Sequence, residues 1–156
     1  MLTCLQIGGI QGTLWFPNCH YLLYGRQRVE VMDLNECIKK DRFAKLVGLK
    51  ITEAREGFAI AEMDISEHHL NGVDMVQGGA IFTLADYAFA AASNTKGLLT
   101  VGISANIAFM KTPKGRKLIA TAKEVSAGRK ISHYDIDVTD EDNRQIARVA
   151  VVGYIL

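Results

Sequence analysis

Beyond residue 48, apolar and polar residues alternate along most of the chain with the period of a β-strand. The segment LKITEAREGFAIAEMDIS alternates about a turn near Glu56 and Gly57, which predicts a β-hairpin. Four later segments, rich in β-branched residues, alternate in the same way: TVGISANIAFMK, RKLIATAKEVSA, KISHYDIDVTD and RQIARVAVVGYIL. Because turn-like KTPKG, AGRK and DEDN sequences separate them, we expect a meandering antiparallel sheet.

Two segments have the longer period of a helix. AIFTLADYAFAAASNTKG is apolar nearly all round, which predicts one long buried helix that stops at Gly97, preceded by the loop HHLNGVDMVQGG. Asp33 and Glu36 have capping-box spacing before a shorter helix that ends before Gly48 and is lined by Leu34, Cys37, Ile38 and Leu46. A helix that is apolar on all sides must be covered on all sides. The pattern therefore predicts an α+β fold in which a curled antiparallel sheet wraps around one long central helix.

The first 31 residues do not share this patterning. Their glycines and a proline interrupt any period, at Gly8, Gly9, Gly12, Pro17 and Gly25. They also lack the charged and apolar regions of a signal peptide. We expect residues 1–31 to be a poorly ordered or accessory extension, or else an edge strand or arm used in assembly, and residues 32–156 to form the one folded domain.

Composition narrows the choice of partners. Eighteen basic and seventeen acidic residues give a net charge of +1, so the chain lacks the strong positive electrostatic potential expected of a protein that binds nucleic acid. Cys4, Cys19 and Cys37 lack CxxC spacing, which favours reduced thiols in a cytoplasmic protein and argues against a metal site. Asp86 interrupts the best candidate for a membrane span, so no membrane association is expected.

Asp86 is also the residue with the clearest chemistry. A carboxylate among Ala, Phe, Leu and Tyr loses hydration, so it needs a partner or its pKa rises. One interpretation is a catalytic acid or base, and the alternative is a buried structural acid paired with an arginine from a strand.

The glycines at the start of the long helix are the second candidate. Backbone N–H groups at a helix N-terminus have no intrahelical partner, and the Gly78 N–H is open enough to hold an oxyanion; Gly79 is a further candidate contact. Phosphate binding is a weaker alternative, because no GxxxxGK[ST] element surrounds the glycines. Asn71 either holds a carbonyl or water here or stabilises its Asn-Gly turn. Gln77 either bonds the substrate or caps the helix.

Spacing along the helix then suggests an assembly. Asp86 lies eight residues after Gly78, which is ~12 Å along the axis. A base and an oxyanion donor must both reach one carbonyl, so we expect two chains to place their long helices antiparallel, with Asp86 of one facing Gly78 of the other. The small residues Ala80, Ala88, Ala90, Ala91 and Ala92 leave room for this. We expect a homo-oligomer, a dimer at minimum and a tetramer in the full assembly.

Together these residues resemble a known signature. Asn71, then Gln77-Gly78-Gly79, then Leu84-Ala85-Asp86 is similar to the motif of the hotdog-fold acyl-CoA thioesterases of the phenylacetate-degradation type, over residues 33–156. The resemblance implies hydrolysis of acyl-CoA without a cofactor, coenzyme A being part of the substrate. It implies that Asp86 is general base or nucleophile, that Gly78 polarises the carbonyl and that Asn71 places substrate or water. Gln77 stands where these enzymes usually have histidine, so weaker polarisation is expected.

Several residues have more open roles. Gly102 occupies the slot of a water-positioning serine in some relatives, and Thr100 and Ser104, expected on one face by alternation, are candidates to replace it. The basic turn residues Lys111, Lys114, Arg129 and Lys130 either bind the phosphates of coenzyme A or are solvated hairpin ends. His68 and His69 are expected to be solvent-exposed and not metal ligands. The alternative functions are a hydratase or dehydratase of acyl thioesters and a non-catalytic acyl-CoA-binding protein.

Overall fold

The structure is a computed structural model that describes residues 21–24, 27–30 and 38–156. The chain divides into two compact units, one ending at Met32 and the other running from Asp33 to Leu156. In the first unit, β1 (Tyr21–Tyr24) and β2 (Gln27–Glu30) form a two-stranded antiparallel sheet. One of the two interpretations of this segment, an edge strand or arm, allowed for strands here. The expected accessory role of residues 1–31 stays a prediction.

The second unit is built on a six-stranded antiparallel sheet. Its strands are β3 (Leu49–Arg55), β4 (Phe58–Asp64), β5 (Thr100–Phe109), β6 (Lys117–Ala127), β7 (Ile131–Asp140) and β8 (Gln145–Ile155). Their order across the sheet is β3-β4-β6-β7-β8-β5. The long helix, α2 (Gly78–Asn94), packs against them. The predicted α+β architecture, a curled sheet around one helix, is confirmed.

The prediction of a simple meander is wrong for β5. This strand pairs with β8 and not with its sequence neighbour β6, which lies between β4 and β7. The loop after β5 begins at β8, where the backbone N–H groups of Met110 and Lys111 donate to the Ile146 carbonyl at 2.8 and 3.2 Å. It ends beside β4, where the Ile65 N–H donates to the Arg116 carbonyl at 2.7 Å. A loop of hairpin length therefore crosses the end of the sheet.

The core lies between α2 and the inner face of the sheet. Alternate residues of the strands point inward, and on β4 and β6 many of them are alanines, including Ala59, Ala61, Ala120 and Ala122. These short side chains allow α2 to lie close to the sheet. Phe89 of α2 packs edge-to-face on Tyr134 of β7, with ring centroids 5.2 Å apart. The apolar sides of the helix are thus buried within one protomer.

The shorter helix departs from its prediction. Ile38 and Lys39 are helical, the chain turns at Lys40, and α1 spans only Arg42–Leu46. Asp41 interrupts the expected continuous helix because its side chain accepts the Ala44 N–H and caps a new one. Ala44 is the residue that α1 buries, whereas Leu46 is 79% exposed. The predicted capping box of Asp33 and Glu36, with Leu34 and Cys37, lies outside the described residues.

The C-terminal end of α2 confirms the predicted stop. Gly97 has a φ of +70°, a conformation that glycine adopts without strain. The Asn94 side chain accepts the Thr100 N–H at 2.9 Å and donates to the Thr100 carbonyl at 3.1 Å. These two bonds fix the start of β5 to the end of α2. Within the described part of the chain, no helix is long and apolar enough to span a membrane.

Candidate active site

Asp86 lies on the one face of α2 that the sheet leaves open. Gly79, Thr83, Asp86 and Ala90 follow one another along this face at helical spacing, and each is exposed or half-buried. In the described chain, the arginine ion pairs join Arg55 to Glu53, Arg144 to Asp140 and Arg148 to Asp137. Asp86 is in none of them, so the alternative of a structural acid paired with a strand arginine is not supported.

The environment of Asp86 favours its protonated form. Partial burial raises the pKa of this carboxyl above its ordinary value, and the negative charge of Asp41 raises it further. A carboxylate with a raised pKa is a stronger base than an ordinary aspartate.

The mouth of α2 is organised by Gln77. Its side-chain oxygen accepts the backbone N–H groups of Gly79 and Ala80, so Gln77 caps the helix, as the second interpretation predicted. In the described structure, no hydrogen bond uses the Gly78 N–H. The first helical amide therefore remains available to a ligand at the positive end of the helix dipole.

Both glycines have a side chain packed close to them. A Cβ atom on Gly79 would lie 2.6 Å from the Gln77 side-chain oxygen, and one on Gly78 would lie 3.0 Å from Cζ of Phe109. Gly79 thus makes room for the cap, a role that the sequence analysis did not assign to it. Gly78 makes room for an aromatic ring beside its own N–H.

Asn71 stabilises the loop that leads into the helix. Its side-chain oxygen accepts the N–H groups of Val73 and Met75 at 3.0 and 3.1 Å, and its own N–H donates to the Met75 carbonyl at 2.7 Å. This is the turn-stabilising role that was one of its two interpretations. Only the amide N–H groups of the side chain remain to meet a substrate or water.

His69 was expected to be exposed, and that prediction is wrong. It is only 6% exposed, because its Nδ1 accepts the Ser66 N–H at 2.9 Å and its Nε2 lies 3.0 Å from the Val47 carbonyl oxygen, to which it donates. The His69 carbonyl accepts the Gln77 N–H at 2.8 Å. His69 therefore fastens the loop before α2 to the end of α1. The Ser66-x-x-His69 spacing, which resembles a capping box, is the sequence signal that could have found it.

His68 is exposed, as predicted, with 84% of its side chain accessible. Among the described residues, no cluster of histidine, cysteine or acidic side chains is arranged to hold a metal ion.

A cleft of about 320 Å³ opens at the mouth of α2. Its apolar wall includes Met75, Ile81 and Phe109, Gly78 lies on its inner side, and Lys111 and Thr112 are on its lining. Asp86 does not line this cleft. Within one protomer the acid and the helix mouth are therefore separate, as their spacing predicted.

The basic candidates fall into two groups. Lys111 lines the cleft and Lys114 lies in the same exposed loop. Arg129 and Lys130 lie in the β6–β7 turn, which borders the C-terminal end of α2. The Lys130 side chain donates to the Ile155 carbonyl at 3.3 Å and lies over the Tyr154 ring. One chain does not bring the two groups together.

Thr100 and Ser104 do not share a face, contrary to expectation. A β-bulge between Gly102 and Ser104 shifts the pairing of β5 with β8, so Ser104 lies opposite Val152 and points away from α2. Thr100 is buried and its hydroxyl donates to the Leu98 carbonyl at 3.2 Å. Neither residue is placed to replace the water-positioning serine.

The alanines of α2 fall into a buried group and a half-buried group. Ala88, Ala91 and Ala92 are buried against the sheet of their own protomer, so they do not line an approach between helices. Ala80 and Ala90 remain half-buried, and Ala90 is on the face that carries Asp86. The open face is thus narrower than the sequence suggested, but it is still made of small side chains.

The fold and these residues define a family. Residues 74–147 match the thioesterase superfamily. The chain belongs to this superfamily, and it is a thioesterase with the hotdog fold. The family and fold that the motif predicted are confirmed.

Individual relatives agree with this assignment. Acyl-coenzyme A thioesterase PaaI of Escherichia coli is 36% identical over 110 residues, which are 70% of this chain and 79% of that protein. The structure of E. coli PaaI, from the phenylacetic acid degradation operon, matches with a TM-score of 0.76 and 30% identity over 80% of this chain and 91% of its own. A protein of Archaeoglobus fulgidus, named as a candidate esterase, is 43% identical over 70% of this chain and 71% of its own.

Proposed function

We propose that this protein hydrolyses acyl-CoA thioesters to a free acid and coenzyme A, at a site shared by two protomers of a homodimer. One observation carries the proposal: an acid with a raised pKa and an unused amide at the helix mouth lie on one helix, too far apart to act together. Thioester hydrolysis needs groups of these two kinds. The similarity to an acyl-coenzyme A thioesterase supports the choice of substrate.

In this proposal the thioester carbonyl lies at the mouth of α2. The Gly78 N–H donates to the carbonyl oxygen, and the helix dipole stabilises the negative charge that develops there. The Gln77 oxygen is engaged by the cap, so its side-chain N–H₂ group is the part that can donate to the substrate. This donor is neutral, unlike a charged histidine, and so polarises the carbonyl less.

Asp86 of the partner subunit acts on the carbonyl carbon. It either takes a proton from an attacking water or attacks the carbon itself to give a mixed anhydride that water then hydrolyses. In both routes the C–S bond breaks, the electron pair leaves on the coenzyme A sulfur, and the oxygen of one water enters the products. Single-turnover hydrolysis in oxygen-18 water separates the routes, because label enters the Asp86 carboxylate only if it is the nucleophile.

The cleft has the character of a substrate site. Its apolar wall suits an acyl group or the pantetheine arm, and Lys111 suits a phosphate of coenzyme A. Antiparallel α2 helices bring the C-terminal end of one helix towards the mouth of the other. Arg129 of the partner subunit and Lys130 of the partner subunit would then join Lys111 and Lys114 around the phosphates. Association of two dimers into a tetramer and a cytoplasmic location remain part of the proposal.

The test is release of free thiol from short, medium-chain and aryl-acetyl CoA thioesters. Asp86→Asn should lower kcat on every accepted substrate by at least about 100-fold, since it removes the base or nucleophile. Asp135→Asn, which removes an exposed acid from the outer face of β7, is the matched control and should leave kcat unchanged. Full turnover by the Asp86→Asn protein would contradict the assignment.

The hydratase alternative is not favoured by the described histidines. His69 is bound on both ring nitrogens, and neither exposed His68 nor exposed His133 lines the cleft. A non-catalytic binding protein would bind acyl-CoA without releasing thiol, so the same assay distinguishes it.

A further inference from the structure

A small polar cavity lies at the C-terminal end of α2, separate from the cleft at the helix mouth. Its volume is about 20 Å³. The end of α2, the start of β5, the end of β6, the start of β7 and the end of β8 all contribute to its walls. The side chains on its lining that can form hydrogen bonds are those of Ser93, Lys96, Thr100, Glu124, Ser132 and Tyr134.

One hydroxyl on this lining has no partner. Ser132 is 2% exposed, and within the described structure its Oγ makes no hydrogen bond. The other hydroxyls of the lining each bond to another group of the chain: Ser93, Thr100 and Tyr134. A buried hydroxyl without a partner destabilises the folded state, because it has lost its bonds to water and gained none.

The surroundings of Ser132 explain why the protein itself offers no partner. Ser132 lies opposite Gly153 of β8, and a Cβ atom on Gly153 would lie 2.7 Å from the Ser132 Oγ. The same Cβ position is 2.9 Å from the methyl carbon of Thr100 and 3.2 Å from Cζ of Phe89. The hydroxyl is therefore packed beside a residue without a side chain, a methyl group and an aromatic ring. A partner has to come from the cavity that Ser132 lines.

We propose that this cavity is a binding site for one water molecule, which bonds to the Ser132 hydroxyl and to a second polar group of the lining. A bound water needs a space of about 10–15 Å³ and two or more polar partners, so the cavity has room for one water and for nothing larger. Water both donates and accepts, so it can bond to the Ser132 hydroxyl in either direction.

The charges at the site favour a neutral ligand over an ion. The Glu124 carboxylate accepts the Tyr134 hydroxyl at 2.7 Å and the Lys96 ammonium at 2.8 Å. Both of its oxygens are thus bonded, and the positive charge of Lys96 offsets its negative charge. Neither a cation nor an anion would meet an uncompensated charge of opposite sign there.

The bound water would join segments that are far apart along the chain. Ser132 starts β7, Ser93 belongs to the last turn of α2, and Glu124 is on β6. A water held between Ser132 and either of the others stabilises the packing of this end of the helix on the sheet. The site does not depend on the activity proposed above.

A crystal structure of the full chain tests the site directly. The electron density should show a single water at about 2.5–3.0 Å from the Ser132 Oγ and within hydrogen-bond distance of a second polar atom of the lining. An empty cavity would overturn the proposal. Crystals soaked in rubidium chloride distinguish the alternative occupant, because an anomalous peak in the cavity would identify a monovalent cation and overturn the assignment to water.

The sign of a stability change provides an independent test in solution. Ser132→Ala removes a partner of the bound water, so the equilibrium constant of unfolding, measured in urea, should rise by about fivefold. If the cavity were dry, the substitution would remove an unsatisfied hydroxyl, and the unfolding constant would stay the same or fall. Either of those results would overturn the proposal.

Ser126→Ala is the matched control, because Ser126 is an exposed serine on the neighbouring strand β6. Its unfolding constant should stay within about twofold of the wild-type value. If the Ser132→Ala protein does not fold, the density in the wild-type crystal decides alone.

Discussion

At the scale of single residues, the helix mouth depends on a side chain that folds back on its own backbone. Gln77 caps α2, and a Cβ atom on Gly79, two residues later, would crowd the capping oxygen. The cap leaves the Gly78 N–H unused, and Gly78 lines the cleft. In the proposed site the two glycines therefore have different roles: Gly78 offers a donor, and Gly79 leaves room for the cap beside it.

Gly79→Ala tests this relation. The new methyl group would displace the Gln77 side chain, so we expect kcat/KM to fall by about 10-fold through loss of donor geometry. Stability should hardly change, because a lost cap costs about 1 kcal/mol and alanine gains about 1 kcal/mol over glycine inside a helix. In a Gln77→Ala background there is no side chain to displace, so Gly79→Ala should then leave kcat/KM unchanged and only stabilise the helix.

Gly72→Ala is the matched control, since a Cβ atom there would meet nothing within 4 Å. A loss of activity from Gly79→Ala that is equally large with and without the Gln77 side chain would show that the methyl group disturbs the site in some other way.

Residue-level predictability depends on how local the signal is. A lone acid in an apolar helix and a glycine pair at its start are contained in a short stretch of sequence, so Asp86 and Gly78 could be singled out from it; their catalytic roles stay predictions. His69 was missed because its partner, the Val47 carbonyl, is 22 residues away. Asp41 was missed because the continuous helix expected around it hid the break that makes it a cap.

At the scale of elements, His69 is the contact that joins α1 to the loop before α2. His69→Ala would remove a buried side chain and leave the Ser66 N–H and the half-buried Val47 carbonyl without their side-chain partner. We expect a loss of about 2–3 kcal/mol in the free energy of unfolding, measured by urea denaturation. His68→Ala, one residue earlier and exposed, should change it by no more than about 0.5 kcal/mol. Equal losses from the two variants would contradict this role.

A buried acid in the β7–β8 turn makes the stability of the fold depend on pH. Asp140 is fully buried, and burial alone would raise the pKa of its carboxyl. Hydrogen bonds from the Arg144 side chain and backbone and from the Lys114 backbone act in the opposite direction, as does the charge of Arg144. The net effect is a pKa below the ordinary value of an aspartate. A depressed pKa means that the stability is fully present above the unfolded-state value and is lost as pH falls through the folded-state value.

Thermal unfolding should therefore show a steep loss of stability below about pH 4. Asp140→Asn should be less stable at neutral pH and should show a shallower acid slope, because the titrating group is gone. An acid slope that is identical in both proteins would assign the loss to other carboxylates.

The strands themselves were predictable from the sequence, but the order in which they pair in the sheet was not. Alternation and turn residues gave the strands from β3 to β8 to within a few residues, since both signals are local. The position of β5 beside β8 depends on contacts between distant segments, and short loops do not reveal it. The bulge before Ser104 is set by pairing with β8, so alternation counted along β5 alone placed Ser104 on the wrong face.

At the scale of the whole molecule, the two halves of the proposed site, Gly78 and Asp86, lie on one helix of a protomer but are not brought together within it. β5 is a terminal strand of the described sheet, so one of its edges is unpaired there, and the face of α2 that carries Asp86 is not covered by the sheet. An unpaired strand edge and an uncovered helix face are the features that a two-fold partner can cover together. These two exposed features support the proposed dimer.

Subunit mixing tests this arrangement. Gly78→Pro removes the proposed oxyanion donor at the first helical position, where proline is tolerated, and Asp86→Asn removes the acid. Each homodimer should be nearly inactive. After exchange of equal amounts, half of the dimers carry one chain of each kind, and one of their two sites then has both an intact Gly78 and an intact Asp86. Thiol release should recover to about one quarter of the wild-type rate. If the site lay within one chain, mixing would restore no thiol release. The Asp86→Asn protein alone, taken through the same exchange procedure, provides the baseline rate.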